Sequence, residues 1–137
     1  DEAEDGTWLT NDQATDPQIL HVSFGTPTTI LETGSGLQTF RIYARRNQTN
    51  ATPSMDVYVY ENGSQLLTLA TAINIDTTGS AYTYTWDATN LSSIDGSQVE
   101  AYFVFNTSGG GPNETWVDVD SVSWIATRKV KRYFYFS

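Results

Sequence analysis

A single jelly-roll β-sandwich of about eight or nine antiparallel strands is the all-β fold class that this sequence predicts, on three observations. Apolar and polar residues alternate with period two along most of the chain, and no stretch carries the 3.6-residue period of an amphipathic helix. The alternating segments are rich in Val, Ile, Thr, Tyr and Trp, side chains that suit a pleated, half-buried surface. Between them lie turn sequences: Gly34-Ser35-Gly36, Asn62-Gly63, Thr78-Gly79-Ser80, Asp95-Gly96 and Gly109-Gly110-Gly111-Pro112. An immunoglobulin-like sandwich is the rival, but its Cys…Trp…Cys core has no counterpart in a chain without cysteine.

Taken in order, residues 1–18 read as an acidic N-terminal arm, 19–127 as the sandwich and 128–137 as a basic, aromatic C-terminal strand or tail. Ile19–Phe24 and Thr28–Leu31 are the weaker strands. Leu37–Arg45 sets Phe40, Ile42 and Ala44 on one face against Arg41, Tyr43 and Arg45 on the other. Met55–Glu61 sets Met55, Val57 and Val59 against Asp56, Tyr58 and Tyr60, and the Asn62-Gly63 pair after it is a hairpin signal. Leu66–Ile75 and Ala81–Trp86 follow. Val99–Phe105 points Val99, Ala101, Phe103 and Phe105 one way, and Thr115–Ile125 completes the set.

Composition narrows the chemistry. The chain has 137 residues with 16 acidic and 7 basic side chains, a formal net charge of -9, no cysteine and one histidine. Thiol catalysis, zinc fingers, iron–sulfur clusters and disulfide scaffolds are excluded. Such a charge opposes phosphate backbones, so no nucleic acid is expected as partner. No apolar run approaches the roughly 20 residues of a membrane-spanning helix. The first residue is Asp, which a removed signal peptide would explain. His21, in QILHVSF, has no Ser or Cys in an activating context, so it reads as a packed or surface residue and the chain as a non-enzyme.

Charge is unevenly placed. Arg41, Arg45 and Arg46 form one basic group and Arg128, Lys129, Lys131 and Arg132 another, with nine carboxylates and no Lys or Arg between Asn47 and Thr127. Six Asn-X-Ser/Thr triplets begin at Asn47, Asn50, Asn62, Asn90, Asn106 and Asn113. Chance placement of the eight Asn among the 32 Ser and Thr would give about two, so the excess points to N-glycosylation and an extracellular or surface location. Asp118 and Asp120 in WVDVDSVSW stand at i, i+2 on a strand and are expected on one face, either as a solvent-facing pair or around a hard cation such as Ca2+. Glu2 and Glu4 would add ligands if the first and last strands pair at one edge.

The order EAED, LQTFRIYARR, MDVYVYENGSQL, YTYTWDATNL and WVDVDSVSW resembles jelly-roll carbohydrate-binding modules. The resemblance implies a structural calcium held by Glu2, Glu4 and Asp118 or Asp120. The stretch Gly36 to Ala126 equally resembles the small jelly-roll modules of phage virion and prokaryotic surface proteins, with SGGGPN as the variable loop. The tail RKVKRYFYFS departs from both. Two functions are therefore expected. The first is a structural subunit of a filament, appendage or virion, a homopolymer joined by strand complementation in which Val130, Arg132, Phe134 and Phe136 enter a neighbour. The second is a carbohydrate-binding or adhesive module with glycans as partners, its sugar platform built from Tyr58 and Tyr60 or from Tyr82, Tyr84 and Trp86.

Overall fold

The computed structural model describes residues 9–10, 18–27, 29–46, 53–106 and 117–129. Eight strands are found among them: β1 Leu9–Thr10, β2 Gln18–Gly25, β3 Gln38–Arg46, β4 Ser54–Glu61, β5 Ser64–Asn74, β6 Ser80–Trp86, β7 Val99–Asn106 and β8 Val117–Ala126. They form two antiparallel four-stranded sheets, ordered β1-β8-β3-β6 and β2-β7-β4-β5. The chain changes sheet at every connection except the β4–β5 hairpin, which is the strand order of a jelly roll.

The faces follow the alternation. Phe40, Ile42 and Ala44 of β3, Met55, Val57 and Val59 of β4, and Val99, Ala101, Phe103 and Phe105 of β7 are all buried between the sheets. Their neighbours in sequence point outward, because successive strand residues face opposite sides. One end of the core is aromatic. Phe40 has Trp86 at 5.4 Å and Trp124 at 6.3 Å on its own sheet, and Phe24 of the facing sheet closes on it at 5.5 Å.

A buried polar clip finishes that end. Gln38 is fully buried, and its amide donates to the Glu32 and Thr127 carbonyls at 3.1 and 2.8 Å. Its oxygen accepts the Trp124 indole N–H at 3.0 Å and the Thr127 N–H at 3.3 Å. Every group of the side chain is thereby matched, as burial demands.

The hairpin turn matches its sequence signal. Asn62 and Gly63 have φ of 50° and 83°, the two left-handed positions of a type I′ turn, between the paired Glu61 and Ser64. Beyond it β5 breaks simple alternation. LLTLATAI holds more apolar residues than one face of a regular strand takes, and three register shifts absorb the difference. Leu66 with Leu67 and Leu69 with Ala70 consequently all pack on the core. At the third shift Ala72 adopts a φ of 54° and donates its N–H to Asp56 Oδ1 at 2.8 Å.

Three expectations change. Thr28–Leu31 is not a strand in its described residues. Leu31 makes one isolated bridge with Arg128 and sends its N–H to the Ile94 carbonyl, while Ile30 accepts from Lys129. Leu31 is fully buried but Ile30 is 42% exposed, so the segment acts as a single-residue anchor. The arm contains β1, whose Leu9 and Thr10 pair with Val119 and Asp118 of β8, so the first and last of the described strands pair at one edge. Arg128, assigned to the tail, belongs to the body of the sandwich through the Leu31 bridge.

Candidate functional site

The outer face of the β2-β7-β4-β5 sheet gathers the rings that face away from the core. Register aligns His21 of β2 with Tyr102 of β7 and Tyr102 with Tyr58 of β4, while Ser23, Glu100 and Tyr60 form the next row. Across these rows His21 and Tyr102 have ring centroids 4.3 Å apart, and Tyr102 and Tyr60 stack at 3.7 Å with planes only 10° apart. Tyr102 lies between its two neighbours in strand order, so both its faces are covered. The remaining face of Tyr60 looks toward β5, where Gln65 is its direct partner and Thr68 is the partner of Tyr58. Gln65 and Thr68 are exposed, and the Gln65 amide donates to the Thr68 hydroxyl at 3.4 Å.

Carboxylates fix this arrangement. Glu100 is buried beneath the stack, contacts His21 Nε2 at 2.5 Å and accepts the Gly63 N–H at 3.0 Å, tying β2, β7 and the hairpin turn together. Asp56 accepts the Tyr58 hydroxyl at 3.4 Å and the Asn106 amide at 3.3 Å on Oδ2, while Oδ1 holds the Ala72 N–H. Burial, followed by the Asp56 charge, raises the Tyr58 phenol above its ordinary value, and burial followed by the Glu100 charge does the same to Tyr102. Both phenols are thus neutral donors at physiological pH. The patch offers the half-buried Tyr60 ring on the β5 side of the stack, the Tyr58 hydroxyl and a polar border.

Of the two platforms expected, Tyr58 and Tyr60 stand on this outer face, but Tyr82, Tyr84 and Trp86 do not form an exposed platform. They align with Ile42, Phe40 and Gln38 of β3 and so point into the sandwich, where Trp86 is 4% exposed. Burial, then the neighbouring Tyr82, pushes the Tyr84 phenol up to about 12. Alternation cannot show which face of an edge strand turns inward when both faces carry hydroxyl-bearing residues. Tyr102 and His21 were missed as site members. Their own strands placed them outward, but only the pairing register brings them beside Tyr60.

Asp118 and Asp120 are buried, at 3% and 2% exposure, so they are not a solvent-facing pair. A register shift at Tyr43/Ala44 pairs Tyr43 with Ser121 and Ala44 with Val119, which leaves Asp120 as the extra residue of a bulge and interrupts the i, i+2 relation. Asp118 accepts Arg45 Nε at 3.0 Å, so a cation of the chain already sits at this carboxylate. Glu2 and Glu4 lie outside the described residues, and among the described residues no three His, Asp or Glu side chains are grouped to hold a metal.

The sequon residues are dispersed. Asn62 is exposed in the hairpin turn and Asn90 is exposed at the end of the 3₁₀ turn Ala88–Asn90. Asn106 is half-buried on the aromatic sheet, its amide on Asp56. Asn47, Asn50 and Asn113 lie outside the described residues, as do the assembly residues Val130, Arg132, Phe134 and Phe136. No helix among the described residues is long and apolar enough to cross a membrane.

No family model matches the chain, and no curated protein matches it. A solved structure described as "CBM4 structure and function" is similar over 87% of this chain and 94% of that one, with 16% identity and a TM-score of 0.44. A likeness of that size carries no argument about function. The described residues form an all-β jelly roll whose eight strands bear an aromatic patch on the outer face of one sheet.

Proposed function

We propose that the protein is a non-catalytic carbohydrate-binding module whose site is the outer face of the β2-β7-β4-β5 sheet. The observation that carries this reading is the His21–Tyr102–Tyr60 stack with Tyr58 beside it, bordered by Gln65, Thr68 and Asp56. A pyranose has an apolar C–H face and a rim of hydroxyls. The solvent-reaching part of the Tyr60 ring answers the first, and amide, hydroxyl and carboxylate groups at its border answer the second. The stack is rigid before any ligand arrives, because Glu100 locks His21 and the neighbouring turn, so little ordering is required on binding.

Retention on immobilised polysaccharides and on a glycan array tests the proposal. Tyr60→Ala should weaken binding at least about tenfold, a loss of roughly 1.4 kcal/mol, with the fold intact by far-UV circular dichroism. Tyr84→Phe, on the inner face, should bind like the parent. Equal binding by parent and Tyr60→Ala would place any glycan site elsewhere.

A further inference from the structure

We infer, on the reading that this aromatic face binds glycans, that its ligand is an uncharged oligosaccharide and that the sheet rejects carboxylated and sulfated glycans by fixed charge. The four strands of this sheet contain no Lys or Arg, but they carry Asp56, Glu61 and Glu100. Recognition of an acidic sugar would call for the opposite, a guanidinium or ammonium able to meet a carboxylate or sulfate. The arginines within the strands, Arg41, Arg45 and Arg46, are all on β3 of the other sheet. Arg41 and Arg45 alternate with the core residues of β3 and face out on the far side of that sheet, while Arg46 follows Ala44 on the core side with its Nε buried, so none of the three stands on the aromatic face.

Asp56 is the decisive group. Its Oδ2 is 3.4 Å from the Tyr58 hydroxyl, at the border of the patch, and the Ala72 N–H holds the carboxylate in place from the other oxygen at 2.8 Å. It therefore stays when a ligand approaches. Glu100 is differently disposed, buried and occupied by His21 and Gly63, and it contributes to the field more than to contact. A hydroxyl can donate to Asp56. A carboxylate or sulfate at the same point meets a like charge with no Lys or Arg on the sheet's four strands to offset it, and His21 is already engaged with Glu100.

The test uses neutral gluco-, manno-, xylo- and galacto-configured hexasaccharides on an array, beside the same backbones bearing carboxylate or sulfate groups. In 10 mM salt, where the screening length is about 30 Å, the acidic member of any bound pair should be weaker by about tenfold or more. In 1 M salt, where that length is about 3 Å, the two should converge. Asp56→Asn, which keeps an oxygen for the Ala72 N–H, should narrow the low-salt gap between the acidic and neutral members of a pair. Acidic glycans bound as tightly as neutral ones in 10 mM salt would overturn the inference, and so would a gap that salt leaves unchanged. If no glycan of either kind binds, the glycan-binding reading itself fails, and the inference falls with it.

Discussion

The two described indoles of the core, Trp86 and Trp124, differ in one hydrogen bond. Trp124 donates to Gln38, whereas the buried Trp86 Nε1 has no hydrogen-bond partner. Leaving a buried polar group unmatched costs roughly 1–3 kcal/mol. Trp124→Phe should therefore cost about 1–2 kcal/mol more than Trp86→Phe in urea unfolding, because only the former strips a partner from Gln38. Gln38→Leu should cost about 3 kcal/mol or more, since it strands the Trp124 N–H together with the backbone groups of Glu32 and Thr127. Equal losses for the two tryptophans would show that the clip contributes nothing beyond packing. The clip was illegible in the sequence, where Gln38 reads only as the polar start of an alternating strand. Tyr102 was hidden in a similar way. A side chain's outward direction is local information, but its neighbours across the sheet depend on register, and register is set by all the strands together.

Alternation made most elements readable. The core faces of β3, β4 and β7, and the Asn62-Gly63 turn, lie where period two and turn chemistry put them. The failures share a cause, departure from regular pairing. β1 is two residues long, too short for any periodicity. The bulges in β5 and β8 change which residues share a face, so the expected Asp118–Asp120 pair does not form a simple row. In β5 the departure also stores strain. Ala72 sits at a φ of 54°, and an L-residue there costs roughly 1–2 kcal/mol. Ala72→Gly relieves that strain, while its greater freedom when unfolded takes back about 0.5–1 kcal/mol. The variant should gain up to about 1 kcal/mol by chemical denaturation with the Asp56 contact kept. A destabilised Ala72→Gly would mean that the alanine methyl makes a packing contribution larger than its strain.

At the scale of the whole molecule, acid should loosen the sandwich through carboxylates that tie its loops. Burial pushes the Glu61 carboxyl up, but the hydroxyls of Ser92 and Ser97 and the Ser92 N–H outweigh it and hold the group below its ordinary 4.5. Asp87, capping the turn at Thr89 and reaching the Gly34 N–H, is likewise held below its ordinary 3.8. A carboxyl that titrates lower when folded stabilises above its unfolded value, and that stability is lost as pH falls through the folded value. Melting temperature should be steady from pH 7 to about 5 and drop below about 4, with a shallower drop in Glu61→Gln. A parallel fall in that variant would remove Glu61 from the account. The strand order has a further consequence, and it concerns time. Among the described strands only β4 and β5 are joined by a two-residue turn; every other ladder, from β1 with β8 to β3 with β6, unites strands far apart in the chain. Loop-closure entropy must be met before any of those pairings is rewarded, so folding belongs on the millisecond-to-second scale of non-local β-proteins. The Asn62-Gly63 hairpin is the one place where such a chain can begin cheaply, and it already contains Tyr58 and Tyr60.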